Sequence, residues 1–339
     1  MGLTPPPGDV PGPGRTAASG TGRIVDIHAH LTPRRFIDAV ADGRSWHNMT
    51  AADGELHNPL NHWSVAQRLD AMDADRVDVQ VVSPTDVFYQ YHQEPKVTAQ
   101  LARSVNEAVA ELRRDHPDRF AGLGTVPMQD TDLAVAELEH SVRDLGMVGV
   151  MIDDHVNGDT YDLPRFDPFF AAAAELGAVV FVHQYGPTSV AARIDRFFLF
   201  NSIGNLVDRA ITFASLVYGG VLDRHPTLKV CLGHAGGYTA FALDRMDHGW
   251  RQWPNRRGAC LQPPSTYASR FFYDAVTYQE RTLRFLIDTV GADRVMLGTD
   301  WPAPMRVEEP VARLAAMPSI TAPEAESILR GTARQLFTR

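Results

Sequence analysis

Ile24-Val25-Asp26-Ile27-His28-Ala29-His30 begins the first β-rich run of the chain, and Leu31-Thr32-Pro33 follows it. Successive side chains on a strand point to opposite faces, so Asp26, His28 and His30 share one face. Pro33 ends the strand and leaves both histidines at its C-terminal tip. Two imidazoles held side by side on a rigid strand end supply half of a divalent-metal site.

Similar runs recur along the sequence. After 24–29 the candidate strands are 78–83, 120–127, 147–153, 178–183, 228–233, 271–275 and 294–299. Most are continuously apolar, as in Ala178-Val179-Val180-Phe181-Val182, the texture of parallel strands buried on both faces. Amphipathic stretches separate them at 96–116, 130–145, 164–176, 203–224, 237–253 and 280–290. Asp130 is placed to cap the second of these, with Gly146 closing it. Eight β-then-α units predict a (β/α)8 TIM barrel of α/β class, with a doubly wound open sheet as the competing arrangement. The first connection, 31–77, is too long for a simple crossover. It predicts an insertion over the barrel mouth that ends in a helix at 64–75, and residues 308–337 predict two helices outside the barrel.

Composition limits the partners. The 339 residues are 44% hydrophobic and 22% charged, enough for a large core. A formal net charge of -9 argues against nucleic acid or an anionic membrane as partner. No apolar run has the length of a membrane span. Cys231 and Cys260 provide no disulfide framework, and Cys231 reads as a core residue. Residues 1–22, rich in Pro and Gly, are expected to form a disordered tail before a single cytoplasmic domain over 23–339.

Polar residues now fall on this frame at one place. His183 follows the strand ending Phe181-Val182, His234 follows Cys231-Leu232-Gly233, and Asp300 follows Leu297-Gly298-Thr299. All cap C-terminal strand ends, the face where barrel enzymes assemble their sites. Imidazoles and a carboxylate are the ligands of a zinc-type centre that acidifies bound water. Five candidates exceed a four-ligand set, so one serves as general acid/base; the Gly-rich flank of His234 suits that task. Asp26 lies one layer deeper, either orienting the ligands or acting as a buried structural carboxylate. Of the two lysines, Lys96 falls in a helical run. Lys229 is five residues before His234, which puts it on the opposite strand face. Neither is placed to bridge two metals, so a mononuclear site is expected.

Asp26-Ile27-His28-Ala29-His30, His183, Gly233-His234-Ala235-Gly236-Gly237 and Leu297-Gly298-Thr299-Asp300-Trp301-Pro302 resemble the motifs of the amidohydrolase superfamily. More narrowly they resemble its aminocarboxymuconate semialdehyde decarboxylase-like branch. That likeness extends through Pro127-Met128-Gln129-Asp130 and Asp293-Arg294-Val295-Met296 to about residue 337. The resemblance implies one zinc (or manganese) ion held by His28, His30, His183 and Asp300, with His234 as acid/base. It also implies decarboxylation of a small unsaturated or aromatic carboxylic acid without an organic cofactor, and a homodimer. Because relatives in that branch include hydrolases and hydratases, the alternative is hydrolysis or hydration at the same site. A binding protein that merely kept the fold is expected to have a damaged ligand set, whereas all five site residues are present here.

The resemblance also marks departures. The branch places a carboxylate-binding arginine before a proline in the first insertion, where this chain has Leu56-His57-Asn58-Pro59. Arg245 matches an arginine that reaches across the family dimer, and a second such position falls near Trp253. Loss of an arginine removes a bidentate carboxylate clamp, so substrate recognition is expected to have changed. Candidate pocket residues are His57, Asn58, His62, Trp63, His155, Arg193, Phe197, Phe198, Arg245 and Trp301. As a group they imply a pocket more aromatic and less cationic.

Overall fold

The first run forms β1, Val25–Leu31, in the computed structural model, which describes residues 22–53, 62–185, 188–194 and 196–337. Seven strands follow: β2 Val79–Pro84, β3 Phe120–Thr125, β4 Gly149–Ile152, β5 Val179–Val182, β6 Lys229–Leu232, β7 Phe272–Asp274 and β8 Val295–Met296. They pair in parallel and in sequence order. A doubly wound sheet reverses its order part-way, so that arrangement is excluded. The strand end after β8 returns to β1. Ile27 N–H donates to Leu297 O (3.0 Å), Asp300 N–H to His28 O (2.8 Å) and His30 N–H to Trp301 O (2.7 Å). The result is the expected (β/α)8 barrel.

Strand interiors explain why the apolar runs are continuous. Val81, Val82, Val150, Met151, Val180, Phe181, Val230 and Cys231 are all buried, between barrel interior and helices. Each such side chain contributes roughly 1.5–3 kcal/mol by leaving water. Cys231 is free and buried in this layer, as its strand pattern predicts. Lys229 sends its Nζ to Leu336 O (2.9 Å), away from the strand tips.

The first connection contains α1, Arg34–Ala41, and α2, Val65–Ala74. α2 carries a capping box at Ser64 and Gln67 and matches the expected helix. α1 was not expected: Pro33 precedes it without a side-chain cap, and burial holds it instead. Phe36, Ile37 and Val40 pack with Met49 on Val87, Phe88, Leu101 and Val105 as a small separate core. Residues 54–61 lie outside the described residues, as do residues 1–21.

The crossovers are α3 Pro95–Asp115, α4 Thr131–Arg143, α5 Asp167–Leu176, α6 Asn205–Tyr218, α7 Val221–Arg224, α8 Thr239–Gln252, α9 Ser265–Ala268 and α10 Glu280–Val290. Asp130 caps α4 by accepting from Leu133 N–H (3.1 Å), worth about 1 kcal/mol. The stretch 203–224 divides into α6 and α7 because Gly220 takes a left-handed φ of 70°. At the C-terminus, α11 Pro310–Ala315, α12 Ala322–Glu326 and α13 Thr332–Phe337 replace the two helices expected. No helix among the described residues is long and apolar enough to cross a membrane.

Candidate metal centre

His28, His30, His183, His234 and Asp300 converge at the C-terminal mouth of the barrel. His28 Nε2 lies 3.1 Å from His30 Nε2 and 3.3 Å from Asp300 Oδ1. His30 Nε2 is 3.2 Å from the same oxygen, and His234 Nε2 is 3.4 Å from Asp300 Oδ2. Donor atoms of His28, His183, His234 and Asp300 all fall within 4.8 Å of one another. The grouping therefore brings His234 as close to the cluster as the expected ligands, with His30 attached through two of its members.

The hydrogen bonds outside the cluster fix which nitrogen faces in. Asp274 Oδ2 accepts from His28 Nδ1–H at 2.6 Å, which leaves the His28 Nε2 lone pair free. Ser83 has one hydroxyl hydrogen and directs it to Ala29 O (3.2 Å), so its oxygen accepts from His30 Nδ1–H (3.0 Å). His183 Nδ1–H donates to Gln184 O (3.1 Å), while its Nε2 is buried with no partner among the described residues. Three Nε2 lone pairs thus point at one carboxylate. Two imidazole nitrogens 3.1 Å apart share a proton or a cation, and with Asp300 and His183 beside them these residues fit a divalent metal in the proton's place.

The charge states of His183 and Asp300 match that fit. Burial, reinforced by His30, His28 and His234, holds His183 well below the usual imidazole value. Burial alone would raise Asp300, but the charge of His28, with His234 and His30 also within hydrogen-bond distance, holds it well below the usual carboxylate range. At His28 burial opposes protonation, yet Asp300 and Asp274 outweigh it and push the ring up to about 10. His183 as a neutral imidazole and Asp300 as an ionised carboxylate are in ligand states, whereas His28 has to release a proton when a metal binds.

Local backbone places two of these side chains. His234 and Asp300 take left-handed φ values of 53° and 61°, unusual outside glycine. Asp274, at the tip of β7, stabilises the first by accepting from His234 N–H (2.8 Å) and Ala235 N–H (2.7 Å). Gly298 permits the convergence of β1, β7 and β8. A Cβ there would stand 2.8 Å from Asp274 Cβ and 3.2 Å from His28 Cβ.

Asp274 was missed in the sequence, although it ends a β-rich run as Asp300 does. Asp26, by contrast, touches no imidazole. It accepts from His28 N–H (3.1 Å), Gln80 Nε2 (3.0 Å), Thr299 N–H (3.0 Å) and Thr299 Oγ1 (2.7 Å). It ties β1 to β2 and to the strand end before Asp300, and it holds the backbone of His28. Burial pushes it up to about 6.

A pocket of about 620 Å3 opens on His30, His183 and Asp300. Trp63, Tyr185, Phe198 and Phe200 give it aromatic walls, and Phe198 packs edge-on against Phe200. Trp301 is buried beside the pocket, under Trp63 and over the Arg68 guanidinium at 4.1 Å. His155 sits in the turn after β4, its Nδ1 accepting from Gly158 N–H (3.2 Å). Arg245 faces a different recess, with Tyr218, Met246, Trp250 and Trp253. His57 and Asn58 fall outside the described residues. Among the described residues the wall combines these aromatics with polar groups such as Thr85, Asp86 and Asn201, and it includes neither Arg245 nor Arg193.

The amidohydrolase family model matches residues 25–339. The chain belongs to the amidohydrolase family. This amidohydrolase is 30% identical over 328 residues to 2-amino-3-carboxymuconate-6-semialdehyde decarboxylase of Dictyostelium discoideum, covering 92% of this chain and 91% of the other. It is also 30% identical to gamma-resorcylate decarboxylase of Rhizobium radiobacter, over 75% of this chain and 84% of that one. Among solved structures it resembles 2,6-dihydroxybenzoate decarboxylase complexed with 2,6-dihydroxybenzoate, at TM-score 0.80 and 26% identity over 94% of this chain and 99% of the other. The 5-carboxyvanillate decarboxylase of Sphingomonas paucimobilis gives TM-score 0.81 and 27% identity, over 94% and 99%.

Proposed function

We propose that this amidohydrolase removes the carboxyl group of a small aromatic or unsaturated carboxylic acid as CO2, with one divalent cation held by His28, His30, His183 and Asp300. The observation that carries the reading is the set of inward Nε2 atoms around Asp300, with His183 Nε2 buried and without a partner among the described residues. Zinc is the ion best matched to three nitrogens and a carboxylate oxygen. When bound, the cation supplies positive charge that orients and polarises the substrate.

The chain's own residues carry the proton. His234, on its left-handed turn beside Asp300, donates a proton to the carbon that bears the carboxylate. The carbon–carboxyl bond then breaks, its electron pair returns to the unsaturated system, CO2 departs, and His234 takes a proton from water. Trp63, Phe198 and Phe200 flank the substrate ring and reduce water access.

Metal analysis coupled to a CO2-release screen with 2,6-dihydroxybenzoate, 5-carboxyvanillate and aminocarboxymuconate semialdehyde tests this reading. One zinc per chain with CO2 release is the expected result. Metal without CO2 from any of these acids rejects decarboxylation, and manganese in place of zinc corrects the ion. His234→Ala is expected to keep the metal and lower kcat by about 10²–10⁴-fold. Loss of the metal instead makes His234 a ligand.

The same reading includes a homodimer in the cytoplasm. Phe241 on α8 and Phe197 after β5 are 82% and 80% exposed, apolar surface that a second copy covers. Both cysteines are free, which suits a reducing compartment. Sedimentation of the purified protein as a monomer rejects the dimer.

A further inference from the structure

Among the described residues only one arginine and no lysine lines the pocket, and that arginine is occupied. Arg68 donates through Nη1 to Gln80 Oε1 (2.8 Å) and through Nη2 to His30 O (2.5 Å), while Trp301 covers its face. Among the described residues of this chain, a substrate carboxylate in this pocket therefore meets neutral donors beside the metal centre.

One of those donors is already aimed. Gln184, immediately after His183, is nine-tenths buried on the pocket wall. Its amide oxygen accepts from Arg209 Nη2 at 3.0 Å. A guanidinium has only donors, so it selects the amide oxygen and turns the –NH2 group the other way. That –NH2 finds no acceptor among the described residues, although Gln184 lines the pocket. Arg209 is itself immobilised: it is wholly buried in α6, donates to Val182 O and lies 3.4 Å from Asp154 Oδ2. It thus grips the backbone before His183 and the side chain after it.

We infer that Gln184 is the substrate's carboxylate-binding donor in this pocket, in place of an arginine clamp, with Arg209 as its positioning residue. The inference rests on the decarboxylase reading only in taking the ligand to be a carboxylic acid. A neutral amide binds a carboxylate without the charge of a guanidinium, so the pocket gives a second carboxylate no additional cation.

Calorimetric titration of the zinc-loaded protein with 2,6-dihydroxybenzoate, and with resorcinol as the same ring lacking the carboxylate, tests it. Wild type binds the acid more tightly than resorcinol. Gln184→Leu adds no charge and is expected to weaken acid binding about tenfold, with resorcinol within about twofold. Gln184→Glu keeps an acceptor for Arg209 and so preserves the fold, but it turns a carboxylate oxygen toward the pocket; acid binding falls further still. Zinc content on the same samples stays at one per chain. Equal weakening of both ligands, no weakening in the Leu variant, or a wild type with no preference for the acid overturns the inference. Acid bound with the predicted preference, but no CO2 released from it or from the other acids of the screen, ends the decarboxylase reading and leaves the role of Gln184 standing.

Discussion

The two flanks of the metal cluster differ in how much of their hydrogen bonding is complete. On the β1–β7–β8 flank, Asp274 accepts four hydrogen bonds and Asp26 four more, from backbone and side chains around His28 and Asp300. On the β4–β5 flank, His183 Nε2, Asp154 Oδ2 and Arg209 Nε are buried without a hydrogen-bond partner among the described residues. The first flank is organised by the protein's own hydrogen bonds; on the second, His183, which lines the pocket, still has capacity for a ligand at Nε2. A buried polar atom left unpaired costs about 1–3 kcal/mol, so ligand binding returns more on the second flank.

Breaking the open flank should have the largest effect. His183→Ala removes the imidazole whose Nε2 has no partner among the described residues, and with the proposed ligand set metal affinity is expected to fall about 10²–10³-fold in a competitive chelator titration. Asp274→Asn strikes the closed flank at one remove from the metal. It weakens the acceptor that fixes the His28 tautomer, and affinity is expected to fall 10–100-fold. An Asp274 effect equal to that of His183 would erase the distinction between the flanks.

A smaller effect sharpens the same contrast through pH. Asp153, at the tip of β4, is raised well above its usual value by burial and by the neighbouring Asp154. Its folded state therefore binds a proton more readily than the unfolded chain. The stability it contributes is present below the unfolded carboxylate range and is lost as pH rises through the folded value. Asp153→Asn keeps the oxygen that accepts from Asp154 and Tyr185 N–H. It is expected to stabilise the protein by about 1 kcal/mol at pH 8 and by nothing measurable near pH 4 in denaturant titrations. Equal stabilisation at both values would mean that Asp153 is ionised throughout.

What could be read from the sequence follows the same division by range. Strand runs are local, and all eight were legible, as were the polar residues standing directly after them, His183, His234 and Asp300. β7 was legible as a strand but its role was not, because Phe272-Tyr273-Asp274 gives one acidic residue after two core aromatics with nothing local to mark its partner. That partner, His28, is 246 residues away. α1 escaped for the converse reason: it lacks a cap, and tertiary contacts with Val87 and Leu101 hold it. The Gln184–Arg209 pair joins a loop to a helix 25 residues later, and neither residue carries a motif. Arg245 was matched by position, whereas the recess it faces depends on how α8 is rotated against α6.

Gly298 shows how a residue without a side chain can govern chemistry. A single added methyl at that position would push against the β-carbons of Asp274 and His28 together, widening the gap between acid and imidazole. Residue 298 therefore sets spacing rather than reactivity. A mutational scan scored by turnover alone would count it among the reacting groups, although it exchanges no proton and binds no ion.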